Sequence, residues 1–597
     1  MRLFNFKGAG EMNSDTRRFI RVGKTRRIPV LNSFRIFGCM LLIVSIIAAV
    51  TRNAIAIEKK TVMVQMPDGV RLATDLYIPA GGKKVPVVLI RTPYGREGIA
   101  NMMLPLLKDN NIALAVQDTR GRFGSEGVSS TFIDDSHDGY ETVEWLAAQP
   151  WCNGKVGTAG ISALGITQYM MLKNTPPHLT CQHVMAAPPS LYPIAYQGGG
   201  VRRGLFYGWI LGNKFPLHIM HLVLSQIDYS DIWRAIDLSV DYDKVNVPIM
   251  HMSGWYDLYL AGTLDAFVNI QGKGGTGARG KQRLVIGPWT HGGFLGLKGT
   301  KQGALNYPAN SKYDIFKIVD WFQECLNGQD KGFMNGPVVR YYVMGDTDDP
   351  KAPGNEWRKA DSWPIPATIT PYYFHRDGSL STLKPESADS AVAFVDDPAN
   401  PVPTLGSRKH EYEREPVDLR PIEERSDVVI FTTPVLEKPI EVTGTIKAKI
   451  YFIADVVDTD FVVRLSDVYP DGRSMLLTDG VARASHRESY RYRVPLVPGE
   501  LYSLDVELWP TSIVFNKGHR IRIIVSGTNF PRFDFNQHNG MFHDISPGEL
   551  EKAIETGLEA YTYKPDLAPD AKPAHITLHL SSERPSQILL PVAAEYK

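Results

Sequence analysis

Val156-Gly157-Thr158-Ala159 runs directly into Gly160-Ile161-Ser162-Ala163-Leu164-Gly165, and residues 166–172 carry on with apolar residues at helical spacing. Strand, serine-centred turn and helix in that order describe an elbow that lifts a hydroxyl above the edge of a sheet. Such an elbow needs small residues where the chain crowds itself, and Gly160 and Gly165 supply them. The spacing departs from plain GxSxG, because position 164 is Leu and the second glycine comes one residue later. A serine between glycines is by itself more often a turn than a nucleophile. Its weight comes from its surroundings.

On both sides of the elbow, short β-rich apolar runs alternate with helical stretches. Residues 85–90 and 112–116 read as buried strands, 138–148 as a helix, and 248–252 and 284–286 as later strands. From about residue 60 to 345 this is the pattern of a mostly parallel α/β sheet. Residues 190–245, rich in Trp, Tyr, Phe and Leu, read as a helical insertion over the sheet. Beyond 345, alternating strands such as 447–452, 461–465 and 520–525 are separated by Gly, Pro and Asp turns. Many short strands with few helices indicate an antiparallel sandwich or jelly roll.

Gly254-Trp255-Tyr256-Asp257 ends one later strand and Gly287-Pro288-Trp289-Thr290-His291 ends the next. The order Ser162, Asp257, His291, with acid and base after strand ends, is that of an α/β-hydrolase triad. A serine hydroxyl is a poor nucleophile until an imidazole takes its proton. The imidazole in turn needs a buried carboxylate to fix its tautomer and stabilise its charged form. Taken singly, Asp257 is a turn residue and His291 a loop histidine. Their joint occurrence, in order and in context, carries the argument.

The 65 Lys and Arg nearly balance the 64 Asp and Glu, for a net charge of +1. That excludes a strongly basic nucleic-acid binder, and 43% hydrophobic residues exclude a disordered chain. The balance is uneven along the chain: residues 1–56 carry +8 and the remaining 541 carry −7. The basic start leads into an uncharged apolar run at 36–50, short of the about 20 residues that span a bilayer. With Ala54-Ile55-Ala56 after it, the run reads as a signal peptide for export to the periplasm or medium, with Ile57 as the first mature residue. An uncleaved membrane anchor is the alternative. Of four cysteines, Cys39 lies in this leader, so Cys152, Cys181 and Cys325 allow at most one internal disulfide.

These residues resemble the cocaine esterase and X-Pro dipeptidyl-peptidase family, the CocE/NonD α/β-hydrolases. The matching stretches are Arg91-Thr92-Pro93-Tyr94, Gln117-Asp118-Thr119-Arg120-Gly121, Ser125-Glu126-Gly127, the elbow, and the two motifs holding Asp257 and His291. In the second half Asp458-Thr459-Asp460, Asp467-Val468-Tyr469-Pro470-Asp471-Gly472 and residues 526–532 match as well. The resemblance covers roughly 60–590. Beyond the leader over 1–56, it implies an α/β-hydrolase domain over 57–345 with a helical cap at 190–245, and a jelly-roll β-sandwich over 346–597. It implies Ser162 as nucleophile, His291 as general base and acid, and Asp257 as the orienting acid. The oxyanion hole falls to the Tyr94 hydroxyl and the Ala163 N–H; without the resemblance Tyr94 would be read as a packing aromatic.

Relatives acting on α-amino acid esters place carboxylates just after the triad Asp, where this chain has Leu258, Tyr259 and Leu260. An apolar wall suits an uncharged acyl group, whereas a buried ammonium needs a carboxylate partner. Phe206, Tyr207, Trp209 and Trp233 could complete the pocket, although aromatics at helical spacing are more often packing residues. Residues 272–277 are glycine-rich without the GxxxxGK[ST] pattern of a phosphate loop. Asp455, Asp458 and Asp460 read as solvated turn carboxylates, and Asp134, Asp135 and Asp138 as companions of a helix dipole. The expected protein is an exported serine hydrolase that cleaves esters or amides through an acyl-enzyme, with no metal or cofactor and a small-molecule substrate. Membrane association depends on the leader, and self-association stays open. An X-Pro dipeptidyl peptidase or β-lactam side-chain acylase is the enzymatic alternative. An inactive hydrolase serving as a binding protein is the alternative of another class.

Overall fold

Continuous apolar runs such as VPVVLIRT suit strands covered on both faces, and the first sheet is built around them. The structure, a computed structural model, describes residues 56–593 except positions 108, 131 and 202 and stretches 217–224, 294–298, 407–415, 543–545 and 557–563. The leader over 1–56 therefore lies almost wholly outside the described residues. The first part of the chain forms β1 (Ile57–Gln65), β2 (Arg71–Pro79), β3 (Val85–Thr92), α1 (Arg96–Leu107), β4 (Ala113–Asp118), α2 (Asp135–Ala147) and β5 (Cys152–Ile161). It continues through α3 (Ala163–Met171), β6 (Leu179–Met185), a hairpin of β7 (Tyr196–Gln197) and β8 (Gly200–Val201), α4 (Arg203–Gly212), β9 (Ile249–Tyr256), α5 (Leu260–Lys273) and β10 (Arg283–Thr290).

After a small hairpin of β11 (Lys301–Gln302) and β12 (Leu305–Asn306) come α6 (Lys317–Asn327), β13 (Val339–Val343) and β14 (Glu356–Ala360). Ten of these strands form one sheet in the order β1-β2-β4-β3-β5-β6-β9-β10-β13-β14. From β4 to β13 neighbouring strands run parallel, and the pairs at both edges are antiparallel. In an open sheet of this kind, ligand sites form at the carboxyl ends of the parallel strands. Every residue of β3, β4, β9 and β10 is buried, so the side chains that do the chemistry have to come from the strand ends.

The segment between β6 and β9 holds α4 and shorter helices at Tyr192–Ala195 and Asp231–Ala235. Past β14 every named strand pairing is antiparallel. The strands are β15 (Ala367–Phe374), β16 (Leu380–Ser381), β17 (Ala391–Asp396), β18 (Val428–Thr432), β19 (Ile440–Ala454) and β20 (Asp460–Val468). They are followed by β21 (Ser474–Arg483), β22 (Leu501–Phe515), β23 (Arg520–Ser526), β24 (Ala574–His579) and β25 (Gln587–Ala593). They divide into a seven-stranded and a four-stranded sheet that share one apolar core.

Three expectations shift. The first sheet does not stop at 345: β13 and β14 pair with Val339 opposite Ala360, so the β domain's strands begin at Ala367 rather than 346. The change of composition at 345 marks the crossing to an edge strand. Asp458 and Asp460 are not solvated turn carboxylates, for both are buried and Asp460 grips Arg483 at 2.7 Å. Asp135 and Asp138 do more than favour a helix dipole, since Arg91 holds Asp135 at 2.6 Å and Arg120 holds Asp138 at 2.7 Å. The strand register also settles a thiol question. Gly157 stands opposite Cys181, which leaves Cys152 roughly 16 Å along the strand at ~3.3 Å per residue. A disulfide needs Cα atoms within about 7 Å. Cys152, Cys181 and Cys325 are all free, and it is Cys325 that neighbours Cys181.

Candidate active site

Ser162 sits between the end of β5 and the first residue of α3 with φ 59° and ψ −126°, a conformation few side chains adopt. A residue held there costs about 1–3 kcal/mol and persists only where its surroundings enforce it. The enforcement is visible. The Ser162 N–H donates to the Met185 carbonyl at the end of β6, and its own carbonyl accepts from Gly165 and Ile166. A Cβ on Gly160 would lie 2.5 Å from Leu164 Cβ, and one on Gly165 would lie 2.5 Å from Ala187 Cβ. The two glycines are required by crowding, as their spacing in the sequence suggests. Helix α3 opens at Ala163 instead of 166, so Ala163 is the helix's first residue. N–H groups in a first turn lack intrahelical acceptors and gather at the positive end of the helix dipole.

Asp257 directly follows β9 and is fully buried. Its Oδ1 accepts the Tyr259 N–H at 2.6 Å, and its Oδ2 lies 2.7 Å from His291 Nδ1. His291 directly follows β10 and is 8% exposed, which leaves only a sliver of the ring open. The Tyr259 ring meets the imidazole edge-on, with centroids 5.3 Å apart. Two motif glycines make room around Trp289: Gly254 lets the neighbouring strand approach its carbonyl, and Gly287 lets its indole lie against its own strand. A Cβ on Gly254 would lie 2.1 Å from the Trp289 carbonyl oxygen, and one on Gly287 would lie 2.3 Å from the Trp289 indole. The Thr290 N–H donates to Gln302 Oε1 at 2.9 Å and holds the backbone beside His291.

Tyr94 lies two residues past β3, the strand next to β5 on the side away from β9. Four of the expected residues thus stand along one carboxyl edge in the order Tyr94, Ser162, Asp257, His291. The serine is flanked by the phenol on one side and the acid–base pair on the other. Burial pushes the Tyr94 hydroxyl up to about 12, against a hydrogen bond from Trp209 and the nearby Arg122 cation. It therefore stays a protonated donor at neutral pH. The Trp209 indole N–H reaches the Tyr94 oxygen at 2.8 Å. That bond joins residues 115 positions apart and has no signature in local spacing.

The remaining pocket candidates separate. Tyr259 covers His291 and Trp209 touches Tyr94, so both border the site. Leu258 is 3% exposed and packs into the core of the first domain. Trp233, weighed as a pocket wall against a packing residue, is the latter. It is 1% exposed, packs against Tyr192 and Tyr196, and donates its indole N–H to the Gln226 carbonyl. Phe206 belongs to α4, but its side chain and that of Tyr207 lie outside what is described. Among the described residues no group of three His, Cys, Asp or Glu side chains is placed to hold a metal ion.

Residues 68–218 and 212–293 match the model of the X-Pro dipeptidyl-peptidase (S15) family, and 331–589 match that of the X-Pro dipeptidyl-peptidase C-terminal non-catalytic domain. The chain is 31% identical to the cocaine esterase of Rhodococcus sp. (strain MB1 Bresler), over 89% of this chain and 98% of that one. An aminopeptidase from a marine sediment Thaumarchaeota archaeon superimposes with a TM-score of 0.73 at 23% identity, over 92% of this chain and 99% of its own. An α-amino acid ester hydrolase superimposes with a TM-score of 0.71 at 23% identity, over the same shares. These two show the fold: an α/β-hydrolase domain followed by a β-rich domain.

Proposed function

The chain belongs to the cocaine esterase and X-Pro dipeptidyl-peptidase family of CocE/NonD serine hydrolases, and on that premise we propose that it cleaves uncharged carboxylic esters through an acyl-enzyme on Ser162. The single observation that carries the reading is the buried Asp257–His291 pair at 2.7 Å on the same sheet edge as the strained Ser162 elbow. With Nδ1 engaged by Asp257, Nε2 of His291 is the nitrogen that takes the Ser162 proton. Ser162 Oγ then attacks the ester carbonyl carbon, and the resulting oxyanion is met by the Tyr94 O–H and the Ala163 N–H. Collapse expels the alcohol, which receives the proton from His291. Water, deprotonated by the same nitrogen, repeats the sequence and releases the acid. Asp257 stabilises the imidazolium in each half-reaction and stays ionised.

Preference for an uncharged ester rests on the lack of acids at 258–260, where an ammonium-binding site would carry them; of these three residues Tyr259 borders the site, and Leu258 and Leu260 are buried in the packed interior. Tyr259 beside His291 and Trp209 beside Tyr94 support an aromatic-walled pocket. Residues 190–245 serve as a helical cap, and the strands from Ala367 on form a jelly roll seated against it. Supporting this, the Arg483 N–H donates to the Gly198 carbonyl and the Tyr229 N–H to the Tyr490 carbonyl. A panel of p-nitrophenyl esters, p-nitroanilides of acyl amides and X-Pro p-nitroanilides tests the substrate class. The expected result is the highest kcat/KM on aryl or alkyl esters with an initial burst of nitrophenol; fastest turnover of X-Pro anilides overturns the ester reading.

Export follows from the leader. The mature enzyme then begins at Ile57 and acts in the periplasm or medium. Among the described residues no helix is long and apolar enough to cross a membrane. N-terminal sequencing of protein recovered from its native compartment checks this, with Ile57 expected first. An N-terminus upstream of Arg35 would mean a retained anchor.

A further inference from the structure

Arg122 bridges the two segments that carry the partners of the Trp209–Tyr94 hydrogen bond. An indole nitrogen can only donate, so in the 2.8 Å contact the Tyr94 oxygen is the acceptor. The phenol has one proton of its own. With Trp209 occupying one side of the oxygen, that proton must point elsewhere, and Ser162 stands on the neighbouring strand. A hydroxyl that accepts a hydrogen bond also becomes a stronger donor.

Trp209 is fixed by its neighbours. Its ring stacks on Phe215 at 4.6 Å and lies nearly parallel to Phe132 at 5.9 Å. Its carbonyl accepts from both the backbone and the side-chain nitrogens of Asn213. Just beyond, Lys214 turns the chain with φ 56° and ends α4. The last carbonyls of a helix need donors and favour a cation. Arg122 brings its cation there: just past the helix end, its guanidinium donates to the Asn213 carbonyl at 2.6 Å and the Lys214 carbonyl at 3.0 Å, and lies 4.1 Å over the Phe215 ring. Its third hydrogen bond is the one that matters for Tyr94. Nε donates to the carbonyl of Pro93, the residue before Tyr94, at 3.2 Å. One side chain therefore ties the backbone carrying the phenol to the helix end carrying the indole.

We propose that Trp209 and Arg122 are positioning residues for the oxyanion hole: Trp209 pins the Tyr94 oxygen so that its proton faces the reacting carbonyl, and Arg122 sets the distance between the two rings' supports. This rests on the reading of Tyr94 as an oxyanion donor. It goes beyond a pocket wall, because Trp209 then acts on kcat through Tyr94 and not through contact with the acyl group.

The test is a double-mutant cycle on a p-nitrophenyl ester. Trp209→Phe keeps a ring for the stack and removes the N–H. It is expected to lower kcat about tenfold, the worth of one hydrogen bond to a polarised group, with KM little changed. Tyr94→Phe is expected to lower kcat about 10²–10³-fold. The double variant Trp209→Phe/Tyr94→Phe should be no slower than Tyr94→Phe alone. Arg122→Lys, which keeps the charge and loses the three-carbonyl fork, should slow the enzyme when Tyr94 is present and have no effect when added to Tyr94→Phe. If Tyr94→Phe is slow but the Trp209 effect multiplies in full on that background, or falls on KM alone, the positioning role is wrong and the oxyanion assignment stands. If Tyr94→Phe turns over normally, the oxyanion assignment fails and takes the proposal with it. Stoichiometric covalent labelling of Ser162 in each variant shows that the fold is kept.

Discussion

Ser162→Ala is expected to lower kcat by about 10⁶-fold, the scale on which loss of the nucleophile acts in serine hydrolases of this type. The change removes one oxygen and leaves its surroundings in place. The elbow's backbone is held by Met185, Gly165 and Ile166, none of which contacts the lost hydroxyl through these bonds. Alanine must still occupy φ 59°, as serine does, so the strain is nearly unchanged and the protein should unfold at a similar temperature. KM for an ester should change little, because Tyr94, Ala163 and the apolar walls remain. Kinetics on a p-nitrophenyl ester, with a thermal melt as control, measure this. A variant retaining a tenth of the activity would mean that another group attacks.

Asp257→Asn is expected to cost about 10⁴-fold in kcat, the effect of presenting the wrong imidazole tautomer. Here the structure specifies why the tautomer changes. Oδ1 of Asp257 is pinned by the Tyr259 N–H at 2.6 Å, a bond an amide oxygen keeps and an amide nitrogen cannot make. The asparagine oxygen therefore stays on Tyr259, and its NH₂ takes the place of Oδ2, facing His291 Nδ1. An imidazole facing a donor must accept at Nδ1, which places its proton on Nε2, where it cannot receive the proton of Ser162. Because the burial and both contacts persist, stability should be nearly kept while kcat collapses. Comparing kcat for wild type, Asp257→Asn and Asp257→Ala separates the two causes: Asn slower than or equal to Ala supports the pinned-tautomer account, and Asn close to wild type refutes it.

The strained Ser162 turn and the Asp257–His291 pair could be read from the sequence because they live in local spacing. Gly160 and Gly165 stand where a Cβ would strike Leu164 and Ala187, and Gly254 and Gly287 where it would strike Trp289. Each close approach leaves a glycine near a residue of the proposed triad. The order of strands carrying Ser162, Asp257 and His291 follows from the same alternation of apolar runs. What stayed hidden depends on tertiary contact. The bond from Trp209 to Tyr94 and the Arg122 fork link segments about a hundred residues apart, and no periodicity announces them. Trp233 offered the same helical-face signal as Trp209, but it faces Tyr192 and Tyr196 in a packed interior. Asp460 sits near turn residues and looks solvated until the partner strand brings Arg483 across from it. The end of the first sheet at Ala360 was obscured because β14 is an exposed edge strand of mixed polarity, unlike the buried strands before it.

The central claim is that Ser162 is the residue acylated during turnover. Reaction with a fluorophosphonate, followed by proteolysis and mass spectrometry of the peptide holding residues 156–173, tests it most directly. One phosphonyl group per chain is expected, located on Ser162, with loss of esterase activity in step with labelling and no adduct on Ser162→Ala. An adduct on a different residue, or an unlabelled chain that continues to hydrolyse esters, would contradict it.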